Sequence, residues 1–197
     1  RFLKNIMGLW LVQQCRRSFE RAGNSYSYDQ LTEMARQAEP LQMFIDPDAE
    51  EFLNPLDMPE AIQDFCRRTD QKVPESEAAL IRCCLESLAL KYRWTVERLA
   101  EITGRSAQVI HMVGGGTQNQ LLCQLTADAT GLPVVAGPIE ATAIGNILMQ
   151  AMALGEIGSI QEARQIVRNS FPAKTYEPKV KGPWDEVYPA FTGLIVS

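Results

Sequence analysis

Histidine is almost missing from this 197-residue chain: His111 is the single one, and the five cysteines, Cys15, Cys66, Cys83, Cys84 and Cys123, show no C-x-x-C spacing. That pattern offers no set of zinc ligands at the separations such sites use. The cysteines are odd in number and fall mostly within helical patterns among apolar neighbours, which speaks against a disulfide framework and for reduced core thiols in a cytoplasmic protein. No run approaches the ~18–20 apolar residues of a membrane span, and no secretory signal opens the chain. Charge of one sign is never concentrated. The net charge of −5 is spread along the sequence, so bulk electrostatic binding to nucleic acid or membrane surfaces is excluded and a small anion needs a local site.

What is present is a large apolar fraction, 46% of residues, enough for a sizeable core. The chain is organised around residues 108–124, QVIHMVGGGTQNQLLCQ. A β-branched, apolar run breaks into Gly114, Gly115 and Gly116 and then into an amphipathic segment, which predicts a strand, a tight turn and a helix start. Consecutive glycines suit positive φ or close approach of something to the backbone. Thr117 is the expected N-cap of a helix over residues 118–130, whose free N–H groups would face an anion lying over the glycines. A plain strand-to-helix turn is the other reading of the same residues.

Around this centre the pattern predicts a first helix over residues 2–21, closed by Gly23-Asn24, with a glycine, Gly8, in its middle. Asn5 and Gln13 interrupt its apolar period about 80° apart and about 12 Å along the axis. They either line one long ligand or are ordinary solvated amides. A short helix follows to Ala38, capped by Asp29 or a neighbour, then an extended segment at Met43, Phe44 and Ile45. Asp46, Asp48, Glu50 and Glu51 read as a solvated turn, interrupted as they are by Pro47 and Phe52. A helix over residues 59–68 precedes the longest one, residues 76–102, with a capping signal at Ser76 and a stop at Gly104.

After the glycine turn come a short strand at residues 132–136 and a helix over residues 140–154, apolar nearly all round and so expected to be buried. A last helix over residues 160–168 leads into a polar tail. Strands alternating with helices give an α/β class with a small, partly parallel sheet. His111, inside an apolar strand, is expected as a hydrogen-bonded core residue rather than a general base. A dinucleotide fingerprint fails at its third glycine, where Asn119 stands, and no acidic residue follows about 20 positions on, where Val134 lies.

Three runs together, RFLKNIMGLWLVQ (residues 1–13), PESEAALIRCCLESLALKYR (residues 74–93) and VGGGTQNQLLCQLTADATGLPVVAGPIEATAIGN (residues 113–146), resemble the C-terminal domain of the FGGY carbohydrate kinases. The resemblance implies an actin-like ATPase (ribonuclease H-like) fold, with residues 1–197 as the nucleotide-binding second domain of a longer protein. It implies ATP and Mg²⁺ as cofactors, the metal bridging phosphate oxygens with no ligand from this chain. No catalytic residue is expected within the chain itself: the catalytic aspartate would lie upstream of Arg1, in the protein's own N-terminal domain. That domain would be one partner and a sugar held between the domains another; the assembly would be a monomer or homodimer.

Carried over residue by residue, the motif puts ATP on Gly115, supported by Gly114 and Gly116, and on Asn5 and Gln13. Asn119 and Gln124 stand behind these contacts, and Glu140 and Asn146 cap and brace the buried helix. Pro189 departs from the family, standing where a terminal helix usually continues. Acceptors such as xylulose, fuculose or glycerol, or a non-catalytic nucleotide-binding module, remain open alternatives.

Overall fold

The computed structural model describes residues 2–195, among which are eight α-helices and a three-stranded sheet. The core is mainly helical. The 27-residue helix α4 (Glu77–Thr103) runs through it, with Leu80, Ile81, Cys83, Cys84, Leu85, Leu88, Ala89 and Leu90 buried. Ser76 caps its start by accepting from the Ala79 amide, and Gly104 ends it at φ 66°, the left-handed conformation that glycine adopts without a Cβ penalty. Against α4 pack α1 (Trp10–Arg21), α2 (Tyr28–Gln37) and α5 (Gln120–Thr130), while α3 (Met58–Arg68) packs on α1. All five cysteines are free and buried, as their apolar settings imply.

The sheet orders β1 (Ile110–Met112), β2 (Val134–Ala136) and β3 (Lys174–Tyr176) side by side. β1 and β2 run parallel, with Ile110 opposite Val134 and Met112 opposite Ala136; β2 and β3 are antiparallel, with Val134 opposite Tyr176. Val134, Ala136 and Tyr176 turn to Cys123 and Ala127 of α5 in a second small core. Beyond β1 no strand pairs among the described residues.

Several expectations change. The first helix begins at Trp10, not at residue 2. Gly8 is therefore not inside a helix but in the turn before it, at φ 64°, so the helical spacing of Asn5 and Gln13 does not exist. Of the acidic run, Glu50 and Glu51 are solvated as expected, but Asp46 and Asp48 are not. Asp46 is buried and takes Lys91 Nζ at 2.6 Å, and the same ammonium reaches Asp48 at 3.2 Å. Asp48 also accepts from the Met7 amide at 3.0 Å and pairs with Lys4, which ties the irregular segment before α1 to the middle of α4. Helical periodicity could not show this, because a charge pair across 45 residues leaves no local signal.

The helix expected to be buried, α6 (Ala141–Ala153), has no buried residue; Ile147 is 65% and Met149 58% exposed. Asn146 is exposed and Glu140, at the N-cap, makes no capping hydrogen bond, so neither braces the helix. His111 is likewise exposed rather than a core residue. Helix α7 (Ile160–Ser170) is amphipathic and capped by Ser159. The tail holds β3 and α8 (Gly182–Thr192), which encloses Pro189 and buries Trp184 and Phe191 in the main core. Arg93 of α4 holds α8 by pairing with Asp185 at 2.7 Å and stacking over the Tyr188 ring at 4.0 Å.

Candidate functional site

The glycine turn is built by its own backbone. Gly114 lies at φ 86°, ψ −172°, a region essentially reserved for glycine. Its amide donates to Pro138 O at 3.1 Å, and its carbonyl accepts both the Thr117 amide and the Thr117 hydroxyl. Residues Gly115–Gln118 then form one 3-10 turn before α5. Thr117 is thus buried inside the turn, and the cap of α5 is Asn119, whose Oδ1 accepts from the Leu122 amide at 2.9 Å. The helix starts two residues later than expected because the chain needs the 3-10 turn to climb out of the sheet.

Gly115 and Gly116 differ from Gly114. Neither has a positive φ, and a Cβ built on either meets nothing within 4 Å. The fold does not demand glycine there. What the missing side chains leave is open space, and it belongs to a cavity of about 320 Å³ lined by Leu9, Val12 and Gln13 of the α1 end, Tyr28, Asp29 and Thr32 of α2, and Gly115, Gly116, Gln118 and Asn119 of the turn. The volume falls in the range of small-molecule sites.

The structure therefore brings Gln13, Gly115 and Gly116, and with them Asn119, to one cavity. Gly114 shapes the turn from behind. Asn5 is exposed in the segment before α1 and does not line the cavity. Arg1, the residue before which the resemblance places the catalytic aspartate, lies outside the described residues. Gln124 donates to Asp128 at 3.0 Å and to Glu177 O at 2.9 Å, clasping α5 to the segment after β3. Sequence reasoning missed the α2 wall. Its residues lie about 90 positions from the glycines, and the only hint was the cap.

That cap is a full capping box: Ser27 Oγ accepts from the Gln30 amide at 3.2 Å and Gln30 Oε1 from the Ser27 amide at 2.8 Å. Arg16 sits over the Tyr28 ring at 4.9 Å and donates to Tyr26 O at 2.6 Å. Ser27→Ala is expected to cost about 1 kcal/mol, read as a lower denaturation midpoint, and to raise the KM of any ligand that leans on the α2 wall. A second, larger cavity of about 540 Å³ shares Leu9 and Gly116 with the first and runs under the open edge of β1 past Tyr92, Val96 and Leu122. Burial pushes the Tyr92 hydroxyl up to about 12, and His111 of β1 lines the same hollow.

A mixed sheet with helices packed against it, and a ligand-sized cavity at a glycine turn, define an α/β domain. Solved structures agree on the fold: a xylulose kinase from Rhodospirillum rubrum superposes with a TM-score of 0.61 at 19% identity over 94% of this chain and 36% of that one. A gluconate kinase from Lactobacillus acidophilus gives 0.64 at 14% identity over 95% and 37%. Residues 1–154 match the FGGY family of carbohydrate kinases, C-terminal domain, and the chain belongs to that family. It is 45% identical to a rhamnulokinase from Bacteroides thetaiotaomicron over 195 residues, 99% of this chain and 39% of that protein. To a rhamnulokinase from Bacillus subtilis it is 46% identical over 179 residues, 91% and 36% respectively. The chain thus spans less than two-fifths of the length of these curated relatives.

Proposed function

We propose that this chain is the ATP-binding portion of a sugar kinase that moves the γ-phosphoryl group of Mg-ATP to L-rhamnulose, giving L-rhamnulose 1-phosphate. The observation that carries the reading is the meeting of Gln13 with Gly115 and Gly116 around one cavity. Phosphoryl transfer asks a protein chiefly for positioning and charge stabilisation. Glycines whose Cβ positions are open let a nucleotide lie against backbone amides without obstruction, while Leu9 and Val12 offer an apolar floor.

Asp29 is the one carboxylate among the residues lining the cavity. One carboxylate does not make a ligand cluster for Mg²⁺, which would arrive with the nucleotide and offset the charge of its phosphates. The catalytic aspartate and most sugar contacts are assigned to an N-terminal domain of the longer protein, upstream of Arg1, and the apolar hollow under β1 to packing against the rest of the polypeptide. The choice of L-rhamnulose rests on the names of the 45–46% identical relatives. A cytoplasmic location accords with five buried free thiols and with the use of ATP.

The test is phosphoryl transfer by the full-length protein with Mg-ATP and a ketose panel. Preference for L-rhamnulose is the expected result. Transfer to xylulose or glycerol instead would overturn the acceptor, and ATP binding without transfer to any sugar would make this a non-catalytic nucleotide module.

A further inference from the structure

The cavity's polar groups are not equally free. Thr32 Oγ1 donates to Tyr28 O at 2.8 Å and receives Asn119 Nδ2 at 3.4 Å, and Asn119 Oδ1 is taken by the Leu122 amide. Both side chains are committed to the fold. Asp29, in the first turn of α2, has neither a hydrogen-bond partner nor an ion-pair partner among the described residues. Asp29 is exposed, but the Ser27–Gln30 box fixes the helix start on which it stands, and it lines the cavity together with Gly115 and Gly116.

A nucleotide has one end rich in negative charge and one end rich in hydroxyl donors. A lone carboxylate repels the first and accepts from the second, since an ionised carboxyl group is an acceptor only. Ribose hydroxyls are suited to it, and carboxylates hold the ribose 2′-hydroxyl in other nucleotide folds. Tyr28, its ring backed by the Arg16 guanidinium, gives the adjoining base an aromatic surface.

We propose that Asp29 is the residue that reads the ribose: it accepts hydrogen bonds from the 2′,3′-diol, directs the nucleoside end of ATP toward α2 and the phosphates toward Gly115 and Gly116, and so makes the enzyme prefer ribonucleotides. This rests on the ATP-site reading given above. In the full-length enzyme, KM is measured for ATP, 2′-deoxyATP and 3′-deoxyATP in the wild type, Asp29→Asn and Asp29→Ala.

The wild type is expected to favour ATP over at least one deoxy analogue by about tenfold, the size of one good hydrogen bond to a charged group. In Asp29→Ala that ratio is expected to fall toward one, with Asn intermediate. A merely structural role for Asp29 would raise all three KM values together and leave the ratio unmoved, which would overturn the inference, as would a wild type that does not discriminate. Gly115→Asp separates the two levels. If it raises the ATP KM while the Asp29 variants keep the ratio, only the ribose assignment fails; if it leaves the ATP KM unmoved, the cavity is not the ATP site and both readings fail.

Discussion

Gly115→Asp in the full-length protein is expected to raise the KM for ATP by on the order of 100-fold, about 2.7 kcal/mol of lost binding, with the melting temperature almost unchanged. Two observations oppose a folding explanation. Gly115 has no positive φ, and a Cβ there meets nothing within 4 Å, so an added side chain enters open space. An exposed substitution of that kind changes stability by about 0.5 kcal/mol or less. What a carboxylate adds is charge: a second negative group at about 4 Å in a partly shielded site is worth about 4 kcal/mol of repulsion, of which solvent and side-chain movement remove part.

Gly114→Ala gives the opposite signature. At φ 86°, ψ −172° an alanine costs about 1–3 kcal/mol in backbone strain, so the melting temperature falls first and nucleotide affinity follows it. Thermal denaturation and ATP kinetics on the pair separate the glycine that shapes the turn from the one that leaves room beside it. Equal loss of stability in both variants would refute the distinction.

Lys91→Met is expected to be the most destabilising single change, about 3–5 kcal/mol, or a fall in melting temperature on the order of 10 °C. The ammonium is 2% exposed and Asp46 3%, at 2.6 Å, so deleting one partner strands a buried carboxylate. Asp46→Asn in the same background is expected to recover part of the loss. If the double variant is no more stable than Lys91→Met, the cost comes from lost packing over Trp94 rather than from charge.

Acid sharpens the test. Burial by itself would raise the Asp48 carboxyl, but the Met7 amide and the Lys91 and Lys4 ammonium groups outweigh it and hold it below its ordinary value of 3.8. A lowered carboxyl contributes stability that is full above about pH 4 and is lost as pH falls through the folded-state value. The gap between wild type and Lys91→Met is therefore expected to narrow below about pH 4, measured by denaturant titration at several pH values.

The long helix α4, its Ser76 cap and Gly104 stop were legible because caps and periodicity are local. So was the strand–turn–helix around the glycines, and with it most of the cavity's far wall. Residues 2–9 were not. Their apolar spacing continues smoothly into α1, and only the left-handed Gly8 and the distant Asp48 hold them out of the helix. The α2 wall was hidden for a related reason: which side chains face the glycines is decided by how α2 packs on α4, not by neighbours in sequence. Helix α6 misled in the other direction: it is apolar nearly all round, yet little among the described residues packs over it.

The open edge of β1 and the bare flank of α6 matter before any ligand is met. Unpaired strand edges and uncovered apolar helices are features that recruit other chains. Any state in which these surfaces stand uncovered in the cell would be a client for chaperones. For the same reason residues 1–197 produced alone are expected to self-associate at micromolar concentration, read as a concentration-dependent elution volume in gel filtration.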